Sequence, residues 1–401
     1  MLKGLRVVEL AELIAGPYCA KLLGDLGADI VKVEPPEGDA ARRLGPFVDG
    51  TPGEDRSIPF LHLNTSKRAV TLDTTTPRGA ALLRSLLADA ELLITDRVPS
   101  QMAACGIGID DLLEAQPSLV VLALTPYGMT GPYRDYRAYP LNTFHAAGEG
   151  YITPVASHLM PRVTDRPPLR HGRFAGEYKL ATYAGMLALA AVYHARATGV
   201  GQVIDLSKQE ALIGLNYVEF QPWLTGALPV ATRDSRAVAF GGIMQCSDGE
   251  VQFTFHEQHH WDSLVKLMGS PAWADEEWAA THASRLQHGE QINVHLKEWM
   301  RHQSRNDIVR EGQLIGCTVA PYNTIDEVYA SEQMEVRQFF QPVTHPVAGT
   351  HDYPTAAYRF DDAVIHPGPA PSLGHDNDRV FGEQLGLSAE ERRELRAQGI
   401  I

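Results

Sequence analysis

Residues 5–34 read as a strand, a helix and a second strand, and this pattern constrains the fold more than any other stretch. Leu5–Leu10 is an apolar strand, and Gly16-Pro17 begins a helix, with proline in a first turn where its missing N–H costs nothing. Gly27 ends that helix, and Ala28–Glu34 is the second strand. Such a unit within about 30 residues favours a parallel sheet with right-handed crossovers.

The alternation of strand and helix patterns continues through the first half of the chain, and the sequence pattern changes near residue 225. Further strands are expected at 67–73, 92–95, 119–125 and 203–207, with helices at 76–88, 99–105 and 208–225. Beyond these, Phe240–Phe255 is typical of a hairpin, helices are expected at 259–269, 290–302 and 388–397, and a strand at 356–366. The expected fold class is α/β, a Rossmann-like large domain with a parallel sheet plus a smaller α+β domain.

Composition excludes several classes of function. A net charge of −14 argues against nucleic acid or an anionic membrane surface as the main partner. Four scattered cysteines without metal-ligand spacing, and an N-terminus without the apolar core of a secretory signal, predict a reduced cytoplasmic protein. No run is apolar enough to predict a membrane span. Although Glu34 ends the second strand, the preceding turn is ELIAGPYC and not GxGxxG, so NAD is not expected.

Residues 172–207 place one carboxylate in a distinctive position. Glu177 ends a glycine-spaced loop and precedes an almost uncharged, alanine-rich stretch at 178–197, which predicts a buried core helix. A TGxGQ turn and the strand pattern VIDLS follow. Glu177 has two interpretations: an acid that stabilises a helix N-terminus, or a nucleophile presented at the mouth of that helix.

The segment His256-Glu257-Gln258-His259-His260 fits the HExxH pattern of zinc proteases. That chemistry needs both histidines on one face of a helix, whereas this motif directly follows the strand-like VQFTF. A polar loop leading into a helix is therefore expected, and no metal site.

Several motifs together resemble the family III CoA-transferases (the CaiB/BaiF type), which include formyl-CoA transferase, carnitine CoA-transferase and the α-methylacyl-CoA racemases. They are VVELAELIAGPYCAKLLGDLGADIVKVEPPEGDAAR near the N-terminus, LNTSKRAVTLD at 63–73, YGMTGPYRDYRAYPLN at 127–142, TGVGQVIDLSKQEAL at 198–212, PYNTIDEV at 321–328 and PAPSLGHDN at 369–377. Each motif alone is weak, but their order and spacing are specific.

The resemblance implies a two-domain chain and an assembly. The large Rossmann-like domain would comprise residues 1–205 and be completed by 326–401, while 206–325 would supply linker helices and the small domain. Members of the family form interlocked homodimers, so a homodimer is expected.

The resemblance also implies a reaction. In the family an aspartate attacks an acyl-CoA to give a mixed anhydride, and CoA then attacks to give an enzyme thioester. Counting back from the Thr198-Gly199 turn places Glu177 at that position, so this chain has Glu where the family has Asp. We expect a CoA-transferase that moves CoA between carboxylic acids through Glu177. The alternatives are a CoA-ester binding protein without transferase activity, and an acyl-CoA isomerase or racemase-like enzyme.

Coenzyme A, taken as an acyl-CoA substrate, needs cations and backbone N–H groups for its phosphates. The resemblance places Ile14, Ala15, Arg42, Arg43, Lys67, Arg68, Asp96, Arg97 and Tyr139 in segments that would line its channel. Asp96-Arg97 replaces the family's Asn-Phe, and Gly241-Gly242 would be a reduced form of its glycine-rich lid loop or the start of a hairpin.

Two further patterns bear on the substrate. The His-Asp pair of racemase members is Tyr139-Pro140 here, which does not suit two-base chemistry, although His145 lies nearby. Basic residues crowd before Glu177 and make an acid with a second carboxylate conceivable: Arg162, Arg166, Arg170, His171 and Arg173.

Overall fold

The computed structural model describes residues 1–153, 172–215, 217–227, 239–255, 257–361 and 364–401. These residues fall into two compact units. The larger unit contains the described residues of 1–150, 170–221 and 335–401, and the smaller contains those of 151–169 and 222–334. The domain limits expected from the sequence, 1–205 with 326–401 and 206–325, stay a prediction.

The strands are, in chain order, β1 (Arg6–Leu10), β2 (Asp29–Glu34), β3 (Arg68–Thr71), β4 (Leu92–Thr95), β5 (Val120–Thr125), β6 (Val203–Ser207), β7 (Gly242–Gln245), β8 (Glu250–Phe253), β9 (Val319–Tyr322), β10 (Phe340–His345) and β11 (Gly349–Pro354).

The α-helices are α1 (Ala15–Asp25), α2 (Ile58–Leu63), α3 (Pro77–Leu87), α4 (Pro99–Ala104), α5 (Ile109–Ala115), α6 (Pro140–Ala146), α7 (Glu149–Ile152), α8 (Ala175–Thr198), α9 (Lys208–Leu215), α10 (Tyr217–Leu224), α11 (Gln258–Leu267), α12 (His282–Gln287), α13 (Gly289–Met300), α14 (Arg305–Leu314), α15 (Ile325–Tyr329), α16 (Glu332–Val336) and α17 (Ala389–Ala397).

A six-stranded parallel sheet organises the larger unit, in the order β3-β2-β1-β4-β5-β6. Successive residues of its strands point to opposite faces, so Val7 packs with α1 and α8 while Val8 packs with α3 and α17. Helices therefore cover both faces, as expected for an all-parallel sheet. The predicted α/β fold class is confirmed.

The end of the chain covers the outer edge of this sheet. The Asp376 carboxylate accepts from the N–H of Ala69, and the Asn377 side-chain oxygen accepts from the N–H of Thr71, at 3.0 and 2.9 Å. The N–H of Asp73 donates to the carbonyl of Ile400 at 2.7 Å. Polar groups from about 300 residues away thus complete the hydrogen bonding of β3.

In the smaller unit, β7, β8 and β9 form an antiparallel sheet. The sheet and helices α11, α13 and α14 enclose a separate apolar core that includes Phe253, Trp261 and Leu296. This agrees with the predicted hairpin and the two predicted helices.

Two expectations for secondary structure need correction. The helix predicted at 208–225 is not one of them, since α9 and α10 occupy its described residues on either side of residue 216, which lies outside the described part. The described residues of 356–366 contain no strand, because the hairpin of β10 and β11 ends at Pro354. Helix α8 buries only one face, which includes Leu180, Ala184 and Ala188.

The other face of α8 carries an exposed stripe, formed by Tyr183, Met186 and Tyr193. These positions recur at helical spacing, so they share one side of the helix. The low charge of the sequence did not reveal this second face.

Candidate active site

Several charged residues follow directly after the carboxyl ends of strands in the sheet. Glu12 follows β1, Asp96 follows β4 and Lys208 follows β6. In an open parallel sheet, ligands bind at this edge. The helix of a βαβ crossover begins at the same edge, because it must run back before the next strand starts. Helix α8 precedes β6, so Glu177 in its first turn and Lys208 after β6 are brought together.

Glu177 forms an ion pair with Lys208. Its Oε2 lies 3.0 Å from the Lys208 Nζ, and the two side chains are 5% and 15% exposed. The structure confirms that Glu177 lies in the first turn of α8. Burial would lower the pKa of Lys208, but the carboxylates of Glu177 and Asp96 outweigh it and raise that pKa above its ordinary value. Lys208 is therefore a cation, and it holds the Glu177 carboxylate in one place.

A small cavity of about 20 Å³ lies against Glu177. Its lining combines the start of α8 with side chains from α6 and α9: Pro140, Leu141, Phe144, Phe174, Ala175, Gly176, Glu177 and Leu212. This volume holds about one water molecule. Apart from Glu177, the lining residues carry no charge.

Asp96 and Glu12 are two partly buried acids at this edge. The Asp96 carboxylate accepts from the N–H of Glu12 at 2.9 Å, and the Glu12 side chain pairs with Arg97 at 2.7 Å. Burial raises the pKa of both carboxyl groups, against the lowering effect of Arg97. Asp96 and Lys208 also attract each other: the charge of Asp96 raises the pKa of Lys208, and the charge of Lys208 lowers the pKa of Asp96. The predicted pair Asp96-Arg97 therefore lies close to the Glu177 site.

A fully buried charge cluster supports the turn that begins α1. Lys32 Nζ lies 2.9 Å from Glu9 and 2.8 Å from Asp39, and Lys67 Nζ lies 2.7 Å from Glu9. Asp39 also accepts from the N–H of Leu13, which has a φ of 64°. A cation in this cluster, such as Lys67, is committed to structural partners.

Arg42 is likewise enclosed by partners. It pairs with Glu34 at 2.7 Å and with Asp55 at 2.8 Å, and its side chain has no exposed surface. It also donates to the carbonyl of Pro371 and stacks 3.7 Å from the ring centre of Phe60. Neither Arg42 nor Lys67, both predicted as CoA ligands, offers a free donor to a phosphate in this conformation.

Arg68 lies at the amino ends of the strands, opposite the carboxyl ends where the candidate site lies. It begins β3 and forms a bidentate pair with Asp29, which begins β2: Nε donates to Oδ1 at 3.0 Å and Nη2 donates to Oδ2 at 2.8 Å. Since ligands of open α/β sheets bind at the carboxyl edge, this position does not favour CoA binding.

A larger cavity, of about 610 Å³, opens at the carboxyl ends of β1, β2 and β3. Its lining includes Glu12, Gly38, Arg43, Thr75 and Arg97. The Arg43 guanidinium donates to the carbonyl of Glu37 at 2.9 Å while its side chain remains exposed. A volume of this size is typical of small-molecule sites.

The remaining predicted ligands have contrasting environments. Ile14 and Ala15 are buried where α1 begins, and no side chain caps that helix end. Tyr139 is 73% exposed and precedes α6, where its N–H donates to the Asn142 side chain at 2.8 Å. The first two offer backbone at the carboxyl edge, and Tyr139 offers an exposed ring.

Gly241 and Gly242 begin the hairpin of the smaller unit, with φ values of 85° and 83°. A Cβ at Gly241 would lie 3.0 Å from the Phe255 ring, and the Gly241 N–H donates to Asn293. Backbone conformation and packing therefore account for both glycines. Their action as a lid stays a prediction.

Two sequence hypotheses involve residues that are not described. His256 of the HExxH segment lies outside the described residues, as do Arg162, Arg166, Arg170 and His171, and the Arg173 side chain is not described either. In the described part of the chain, no group of three or more His, Cys, Asp or Glu side chains is arranged to hold a metal ion. Within the same residues, no helix combines the length and apolar character needed to cross a membrane.

Sequence reasoning missed Lys208 and Glu12. Both carried a usable signal, because each follows a predicted strand whose carboxyl end faces the site. A charged residue directly after a buried parallel strand is a candidate for the site at that edge.

Comparison with known proteins gives a consistent result. The sequence profile of CoA-transferase family III matches residues 2–377. The chain is 30% identical to a succinate–glutarate CoA-transferase of Agrobacterium fabrum, over 84% of this chain and 83% of that protein. It is 28% identical to a succinyl-CoA–D-citramalate CoA-transferase of Chloroflexus aurantiacus, over 100% and 98%.

A crystal structure of a CaiB/BaiF family protein from Brucella suis has a similar fold. The TM-score is 0.79 at 28% sequence identity, and the match covers 95% of this chain and 98% of that one.

Proposed function

The chain belongs to CoA-transferase family III, and we propose that it moves CoA between two carboxylic acids through covalent intermediates on Glu177. The observation that carries the proposal is a buried carboxylate in the first turn of α8, held by one lysine beside an apolar cavity. A carboxylate becomes a useful nucleophile when it is positioned and partly desolvated.

The steps balance without an added proton or cofactor. The Glu177 carboxylate attacks the thioester carbonyl of the acyl-CoA, and the C–S bond breaks. CoA thiolate departs, and a mixed anhydride of Glu177 and the first acid is formed. The thiolate then attacks the glutamyl carbonyl, and the first acid leaves as a carboxylate that carries one former Glu177 oxygen. The second acid reverses both steps on the resulting glutamyl thioester.

The 610 Å³ cavity is the proposed site of the phosphate-bearing part of CoA. Arg43 and Arg97 would supply cations, and the backbone at Ile14 and Ala15 would supply N–H groups at the start of α1. Arg42, Lys67 and Arg68 are assigned structural roles in this proposal, because their partners are acidic side chains of the same unit.

The test uses succinyl-CoA as donor and glutarate and D-citramalate as acceptors. These probes are chosen from the names of the relatives, and mass spectrometry follows the protein after donor is added. Wild-type protein is expected to carry a hydroxylamine-sensitive CoA adduct on Glu177, and Glu177→Gln none. Glu210→Gln is the control, because Glu210 is an exposed acid in the first turn of the neighbouring α9.

Two outcomes would contradict the proposal. Binding of CoA esters without adduct or turnover would favour a binding protein that lost the nucleophile. Turnover of an acyl-CoA without passage of labelled CoA to a second acid would favour the isomerase or racemase-like alternative.

We also propose a cytoplasmic homodimer. All four cysteines are unpaired and buried, which fits a reducing compartment. The exposed stripe of Tyr183, Met186 and Tyr193 on α8 offers apolar surface that a second copy would cover. Light scattering of the purified protein gives the mass, and a monomer would contradict the dimer.

A further inference from the structure

The ion pair between Glu177 and Lys208 bears on how the second acid is recruited, an inference that rests on the function proposed above. We infer that Lys208 is the shared counter-ion of the reaction: it pairs with Glu177 in the resting enzyme and with the free acid once Glu177 is esterified.

The charge count of the steps leads to this role. Of the groups that react, one is an anion in the resting site, the Glu177 carboxylate. The anhydride stage holds one anion, the CoA thiolate, and the thioester stage holds one, the carboxylate that leaves or arrives. Glu177 itself is neutral in the last two stages. Lys208, whose Nζ lies 3.0 Å from Glu177 in the resting site, therefore loses this carboxylate partner at the stages in which the thiolate or the free carboxylate is present.

The geometry supports transfer of the lysine between these partners. The acid that leaves carries an oxygen that belonged to Glu177, so it is formed within reach of the Lys208 Nζ. Among the described residues, the lining of the adjacent cavity contains no lysine or arginine, so these residues supply no cation that would compete with Lys208 for a carboxylate. A buried cation without a partner is costly, and the arriving acid removes that cost.

Lys208 must also stay protonated, since a neutral amine would attack the glutamyl thioester and end in an inert amide. Asp96 contributes to this, because its charge raises the pKa of Lys208, but burial lowers that pKa by more than Asp96 raises it, so the carboxylate of the acid is needed as well. Sequence position alone would not indicate this arrangement, since Lys208 and Glu177 are separated by 31 residues.

The experiment measures steady-state exchange between succinyl-CoA and glutarate for wild type, Lys208→Met and Lys208→Arg. In Lys208→Met the KM for glutarate is expected to rise about tenfold or more, while the KM for succinyl-CoA changes by less than about threefold. The glutamyl thioester should persist longer in this variant, because its acceptor binds poorly. Lys208→Arg should recover part of the loss in glutarate binding. Lys179→Met is the matched control, since Lys179 is exposed two residues beyond Glu177 on the same helix.

The outcomes separate the possible failures. An unchanged glutarate KM in Lys208→Met, or a loss of kcat with both KM values unchanged, would overturn the counter-ion role and indicate a structural lysine. Absence of exchange in wild type itself would instead reject the proposed function, and the counter-ion role with it. Should Lys208→Met fail to fold, Lys208→Gln carries the same prediction, because it keeps a donor near Glu177 without the charge.

Discussion

Lys32 is the centre of the buried charge cluster under the start of α1, so its replacement by methionine is a sharp test of the packing described above. Methionine has a similar length and no charge. The change removes contacts of 2.9 Å to Glu9, 2.8 Å to Asp39 and 2.9 Å to the carbonyl of Ala11. Lys32 and its two acidic partners have no exposed side-chain surface.

The size of the effect follows from what remains after the change. Removing one partner of a buried ion pair costs about 3–5 kcal/mol, because the other charge stays buried. Glu9 keeps Lys67 at 2.7 Å, so the loss falls mainly on Asp39. Asp39 still accepts from the N–H groups of Leu13 and Ala41, at 3.0 and 2.8 Å. We therefore expect a loss near the lower end, about 3 kcal/mol.

The dependence on pH has a defined sign. In the wild type, burial would raise the pKa of Asp39, but Lys32 and the two N–H groups lower it below its ordinary value. That stabilisation is present above the ordinary pKa and is lost as the pH falls through the lowered value. Without Lys32, burial should raise the pKa of Asp39, so the carboxyl is protonated in mild acid. The stability gap between wild type and variant should then narrow from pH 7 toward pH 4.

The assay is urea unfolding followed by circular dichroism at several pH values. A double variant, Lys32→Met with Asp39→Asn, should be more stable than Lys32→Met alone, because asparagine removes the unpaired charge and keeps an acceptor for both N–H groups. A loss below about 1 kcal/mol at pH 7, or a gap that does not narrow in acid, would refute the reasoning.

Three further predictions concern single positions. Glu177→Asp restores the acid of the family but withdraws the carboxylate by about one bond from Lys208, so kcat for exchange should fall about 100-fold, and an equal or higher kcat would contradict a site adapted to glutamate. Burial lowers the pKa of His62 from 6.5 to about 4, so stability should fall as the pH drops from about 6.5 to about 4; His62→Gln should remove that part of the pH profile in urea unfolding, and an unchanged profile would count against it. Gly201→Ala should destabilise the protein by about 1–3 kcal/mol, because its Cβ would lie 2.0 Å from the Leu119 carbonyl oxygen. Gly214→Ala should stabilise it by up to about 1 kcal/mol, because Gly214 is an exposed position of α9 whose Cβ would meet no described atom within 4 Å. Thermal unfolding measures both, and the reverse order would refute both.

The sheet could be predicted from the sequence because its strands contain short stretches of β-branched and other apolar residues, and helix patterns alternate with them. The strand VIDLS at 203–207, for example, is β6 as observed. Helix α8 was predicted in position but not in burial, since alanine and tyrosine fit both a buried and an exposed face.

The site could be predicted only in part, because a charge in the sequence does not reveal its partner. Glu177 was predicted from the family resemblance, which implies a nucleophile at this distance before the Thr198-Gly199 turn. Arg42 was expected to meet a phosphate, yet Glu34 and Asp55 converge on it from segments whose proximity only the fold creates. Lys208 was overlooked for the same reason, since its partner lies one crossover earlier in the chain.

The hydrogen bonds from Asp376 and Asn377 to β3 have a consequence for biosynthesis. Strand β3 leaves the ribosome about 300 residues before the groups that satisfy its outer N–H donors. Until then the nascent sheet has an open edge able to pair with another chain. Stop codons or slow translation shortly before Asp376 should therefore promote aggregation, although Glu177 and Lys208 are already synthesised.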